Sequence, residues 1–62
     1  MMNIAHALAA LNHRSEKERI GFGDAGWPGL LESVAEAHRV PVSLLNDAHA
    51  AEADAQYLAG IA

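Results

Sequence analysis

Residues Leu30–His49 read LLESVAEAHRVPVSLLNDAH, and their pattern decides the fold. Leu30, Leu31 and Val34 recur at helical spacing, with Ala37 or His38 completing the stripe and Glu32 and Glu36 on the opposite, wet side. The pattern breaks at Arg39-Val40-Pro41, because the residue before a proline disfavours helix, and a second helical pattern begins immediately after. Two helices joined at a tight corner are therefore expected, over about 28–38 and 42–59. Pro28 suits a first helical turn, where its missing N–H costs nothing. Ser43 is a candidate cap for the later helix, and Gly60 is placed to end it.

Upstream, Met1, Ile4, Leu8 and Leu11 lie three and four apart, and Ala5, Ala7, Ala9 and Ala10 fill the gaps with the best helix former. A first helix over about 2–19 is expected, with a possible kink near Asn12. Two alternatives fit the same residues: an end at Asn12-His13, or a new start at Ser15, whose spacing to Glu18 matches a capping box. Gly21 to Gly29 holds four glycines and Pro28 and can only be a loop. It has neither the lysine of a phosphate-binding loop nor a preceding strand. Its expected role is to fold Phe22 and Trp27 back over the helices, with the Trp27 indole N–H seeking a carbonyl or water. No stretch reads as a strand, since Val40-Pro41-Val42 is short and contains proline. The fold class is all-α: one small three-helix domain.

A chain of 62 residues buries only about 60% of the surface it exposes when unfolded. Without cysteine, disulfides and thiolate metal sites are excluded. Although 52% of the residues are hydrophobic, many are alanine, so the core is thin. Leu44, Ala48, Ala51, Ala55, Leu58 and Ala62 are spaced four and three apart, a heptad seam of small residues that allows close helix approach. Its pairing with the stripe of the first helix, within a chain or between chains, would bury both. A homodimer packed through this seam is expected.

Net charge is −4, and no Lys or Arg follows Arg39, whereas Asp47, Glu52 and Asp54 do. The N-terminal residues do not read as a signal peptide and no stretch approaches the length of a membrane span, so a soluble, cytoplasmic protein is expected.

Val34-Ala35, Val40, Ser43 and Leu45 resemble the helix-turn-helix of lac-repressor-type DNA-binding proteins over about a dozen residues. Two positions depart from that pattern: Arg39 stands where glycine is usual, and Pro41 where a capping Ser or Thr is usual. The resemblance implies a DNA-binding regulator. Its recognition helix would present Val42, Ser43, Asn46, Asp47 and His49, and Arg14, Lys17, Arg19 and Arg39 would meet the phosphates. Asp47 opposes this reading, as does the lack of cations beyond Arg39. The segment is also locally similar to a LysM helix, but that module is flanked by strands and this chain has none.

Other chemistry is sparsely represented. His49 and Glu52 have a chelating spacing, and His6 and His13 lie two turns apart, yet neither pair has further ligands nearby in sequence; no metal or cofactor is expected. His38 is placed to interact favourably with a helix C-terminus. Ser15, Ser33 and Ser43 lack the scaffold and cleft of a nucleophilic enzyme. Surface recognition remains. The apolar end, Gln56 to Ala62, and the anchor-type residues Trp27, Tyr57, Leu58 and Ile61 point to a non-enzymatic module that binds a larger protein as adaptor or inhibitor. Core roles for Trp27 and Tyr57 are the alternative. By analogy with other compact acidic single-domain proteins, a phage or mobile-element origin fits.

Overall fold

The computed structural model describes residues 3–61, the Ile61 side chain excepted. Met1, expected on the stripe of the first helix, and Ala62, expected on the seam of the third, lie outside the described residues. The architecture is three helices: α1 (Ile4–Glu18), α2 (Trp27–Ala37) and α3 (Val42–Ile61). No strand occurs among the described residues.

Helix α1 starts at Asn3, whose side-chain oxygen accepts the His6 N–H at 3.0 Å and so satisfies a donor that the helix cannot. It runs unbroken through Asn12 and Ser15, so neither the early end nor the second start at Ser15 is adopted. Ser15 works at the other terminus instead, its hydroxyl donating to the Ile20 carbonyl at 2.6 Å. In α2, Pro28 occupies the first turn, as its chemistry suggests. Helix α3 begins at Val42, so Ser43 lies inside the first turn rather than capping it. The helix also runs through Gly60 to Ile61. A glycine costs a helix interior only about 1 kcal/mol, which weakens a helix without stopping it.

Both α1 and α2 end on an arginine in the left-handed conformation, Arg19 at φ 55° and Arg39 at φ 54°. After α2, the Val40 N–H donates to the Ala35 carbonyl and the Arg39 N–H to the Glu36 carbonyl, the paired bonds of a Schellman terminus. The apolar residue after each arginine turns inward: Val40 is buried, and Ile20 packs against the core. Glycine would adopt this φ without strain. Left-handed backbone costs an L-residue roughly 1–2 kcal/mol, and glycine's extra freedom when unfolded offsets about 0.4–1. Arg39→Gly should therefore stabilise the domain by up to about 1 kcal/mol and raise Tm by a few degrees. Thermal melts of the two proteins test this, and a lower Tm for the variant would refute it.

Among the described residues the core is Ala7 and Leu11 of α1; Trp27, Leu30, Leu31, Val34 and Ala35 of α2; Val40; and Leu45 of α3. Helix α2 is thus the central element. Its buried face is Leu30, Leu31, Val34 and Ala35; Ala37 is exposed and His38 half-buried, a correction to the expected stripe. Ala7, a gap-filler by sequence, is fully buried, whereas Ile4 and Leu8 are only half-buried. Small residues sit where helix backbones come closest, so Ala7 and Ala35 occupy contact points that larger side chains would wedge open.

Candidate functional site

The C-terminal part of α3 is the least covered element. Among the described side chains of α3, Leu45 alone is buried, with Asn46, Ala48, His49 and Glu52 half-buried. From Ala53 to Gly60 every residue is exposed. The helix has 20 residues, about 30 Å in length, against roughly 16 Å for the 11 of α2, so its final turns outrun the packing.

The inward face is therefore not the heptad seam. Leu44 is 42% and Leu58 64% exposed, and Ala51 and Ala55 are exposed too; only Ala48 is partly covered. The expected pairing of this seam with α1 does not occur within the chain. Leu45 takes the interior because the seam is mostly alanine, and one fully buried leucine outweighs several alanines.

A polar cleft of about 290 Å³ separates α1 from α3, lined by Asn12, Ser15, Glu16, His49, Glu52, Ala53 and Gln56. Across it, the Asn12 amide donates to Glu52 Oε1 at 2.8 Å, which assigns Glu52 a structural partner. A hydrogen bond to a charged group contributes about 1.5–3 kcal/mol, and less where water reaches it. Asn12→Ala is expected to cost about 1 kcal/mol in urea unfolding, and an unchanged midpoint would show that the bond contributes nothing. Among the described residues, no three His, Asp or Glu side chains come together to hold a metal ion.

Behind the cleft lies an aromatic cluster. The His49 ring sits 4.7 Å from that of Trp27 and 6.1 Å from that of Phe22, and Phe22 meets Trp27 edge-on at 6.0 Å. Phe22 does fold back onto the helices, yet it stays 74% exposed. The loop that carries it is held by two tight turns: the Asp24 N–H donates to the Gly21 carbonyl, and the Trp27 N–H to the Asp24 carbonyl. Gly23, at φ 93°, supplies a conformation that side chains disfavour, and Asp24 Oδ2 accepts the Gly21 N–H at 2.6 Å. Phe22, His49 and Asp54 were not grouped by sequence reasoning, and no local signal joins residues so far apart along the chain.

The sequence-predicted anchors separate. Trp27 is 5% exposed and belongs to the core, so it offers no surface to a partner in this conformation. Its Nε1 is buried and meets no protein acceptor among the described residues, so of the two expected partners, carbonyl or water, the carbonyl is not the one used. Tyr57 is 71% exposed, on the side of α3 that carries Ala50, Ala53 and Asp54. Leu58 lies on the seam side. The Ile61 side chain is outside the described residues.

The candidate phosphate contacts are also dispersed. Arg14 pairs with Glu18 at 2.8 Å and donates to Ser33 Oγ at 2.9 Å, tying α1 to α2. Lys17 and Arg19 are exposed near it. Ile20 packs on Gly26 at the N-terminal end of α2, whereas Arg39 follows the C-terminal end, so the length of α2 lies between Arg39 and the Arg19-Ile20 corner, with Arg14 between them at Ser33. Asn46 is half-buried, and His49 is held in the aromatic cluster.

The hydrogen bond from Arg14 holds the Glu18 carboxyl below its ordinary value of 4.5, with the charges of Arg14 and Lys17 adding to it. A carboxylate with a depressed folded pKa stabilises the fold above its unfolded value and loses that contribution as pH falls through the folded one. Glu18→Gln should therefore differ from wild type at neutral pH and low salt and converge with it in acid. The pair is solvent-exposed, so high salt should also erase the difference; acid and salt titrations of Tm check both.

Comparison of the chain with protein-family models, with curated proteins and with solved structures found no match.

Proposed function

We propose that this chain is a small interaction module that binds and modulates a larger protein, as adaptor or inhibitor, by contact rather than catalysis. The observation that carries this reading is the uncovered end of α3. Tyr57 and Leu58 are mostly exposed within a stretch from Ala53 to Gly60 that contains no Lys or Arg. Exposed aromatic and leucine side chains of this kind are what binding surfaces use as anchors. No helix among the described residues is long and apolar enough to cross a membrane, so insertion as a span does not account for the exposed apolar groups. The seam of Leu44, Ala48, Ala51, Ala55 and Leu58 supports self-association on the neighbouring side of the same helix. The helix-turn-helix reading as a DNA-binding regulator has weaker support, because the cations it needs are dispersed and one of them is engaged by Glu18 and Ser33.

The test is capture by tagged protein from a lysate of the native organism, with nuclease present, for wild type and for a Tyr57→Ala/Leu58→Ala variant. One stoichiometric protein held by wild type and lost with the variant supports the reading. Recovery of nucleic acid instead, lost with salt and on removing Arg14, Lys17, Arg19 or Arg39, overturns it in favour of DNA. Sedimentation over a range of concentrations tests the dimer, and a monomer at all concentrations removes that part alone.

A further inference from the structure

The chemistry of the partner is narrowed by a hollow beside Tyr57. Phe22, His49, Ala50, Ala53 and Asp54 line a pocket of about 210 Å³. Phe22 lies within 25° of parallel to the His49 ring, and His49 leans in turn on the buried Trp27. The phenyl ring is thus braced from one side while most of its surface stays open. Ala50 and Ala53, three residues apart, add methyl groups, and Asp54 adds a carboxylate. Asp54 makes no hydrogen bond or ion pair among the described residues. Glu52, two residues earlier on the side facing α1, is engaged by Asn12. No Lys or Arg follows Arg39, so this part of the chain supplies no cation for Asp54.

We propose that this pocket receives an arginine side chain of the partner protein, with its guanidinium on Phe22 and paired with Asp54 and its methylenes over Ala50 and Ala53. The proposal rests on the protein-binding reading above. Charge complementarity favours a cation here, in a chain of net charge −4. The combination of aromatic face and carboxylate selects arginine: a planar guanidinium stacks on a ring and presents forked donors to a carboxylate, whereas lysine is a strongly hydrated point charge. A protein rather than a free ligand supplies it because Ala50, Ala53, Asp54 and Tyr57, at i, i+3, i+4 and i+7, form one continuous face. A partner that grips Tyr57 reaches the hollow one turn earlier.

The experiment is a ¹⁵N-resolved NMR titration of the whole chain with N-acetyl-arginine amide and with N-acetyl-citrulline amide, its uncharged counterpart of similar shape. Saturable shifts confined to Phe22, His49, Ala50, Ala53 and Asp54 are expected, with arginine bound at least about fivefold more tightly. Asp54→Asn should reduce arginine to the citrulline level, and Phe22→Ala should weaken both. Each variant alters an exposed side chain and should keep the wild-type far-UV spectrum. Equal binding of the two compounds, shifts spread equally to Glu16 and Asp47, or indifference to both substitutions overturns the proposal. The titration involves no partner, so its failure alongside Tyr57-dependent capture removes the arginine pocket and leaves the interaction module standing. Saturable arginine binding without any such capture overturns the assignment to a partner protein and leaves a site for a free guanidinium compound.

Discussion

Trp27→Ala is expected to remove roughly a third or more of the domain's stability, and all of it at the lower end of the range for a chain of this size. Trp27 opens α2, the helix that supplies most of the core, and its ring contacts both Phe22 and His49. Truncating a buried aromatic costs about 3–5 kcal/mol, while a domain of this size has roughly 3–9 kcal/mol in total. Trp27→Phe should be far milder, within about 1–2 kcal/mol of wild type. The smaller ring leaves a void but keeps an aromatic group between α2, Phe22 and His49, so most of the buried contact survives. The measurement is urea unfolding followed by far-UV circular dichroism, since the only tryptophan is the residue replaced. An alanine variant that melts cooperatively within about 1 kcal/mol of wild type would show that the cluster carries no such share of the stability.

Leu45→Ala is the second large effect, at about 2–5 kcal/mol, because Leu45 is fully buried and is the one core residue that α3 contributes. Its sequence neighbour provides the control. Leu44 is 42% exposed, so Leu44→Ala should cost less than about 1 kcal/mol in a monomer. If the seam packs against a second copy, the cost at Leu44 and Leu58 grows and Tm becomes dependent on protein concentration. Equal losses at Leu44 and Leu45 in dilute solution would mean that α3 is docked on a different face from the one described.

The positions of the three helices were legible in the sequence because their signals are local. The glycines from Gly21 onward, Pro28 and Pro41 act on the backbone within a few residues of themselves, and the spacing of Leu30, Leu31 and Val34 specifies the inner side of α2 without reference to anything else; the Asn3 cap of α1 emerged only in the structure. Even the special φ of the corner was visible as a position, since Arg39 stands where related patterns place glycine, although the structure accommodates arginine there.

What tertiary structure alone decided is the orientation of α3 and everything built on it. A helix whose apolar residues are mainly alanine has no strongly preferred inner face, so spacing pointed to the seam of Leu44 and Leu58, while packing against α1 and α2 chose Leu45. That rotation, of about 100° per residue, is the difference between a covered and an open C-terminal surface. It also sets Trp27 in the core and leaves Tyr57 outside. The same rotation brings His49, Asp54 and Phe22 together from two parts of the chain that no local pattern connects. Sequence alone thus located the three helices and the corner between the last two, because backbone propensity is a property of neighbours, while their exact ends, near Ser43 and Gly60, followed from the fold. Which surface of the third helix is left open was decided by competition for a small core, a property of the whole fold.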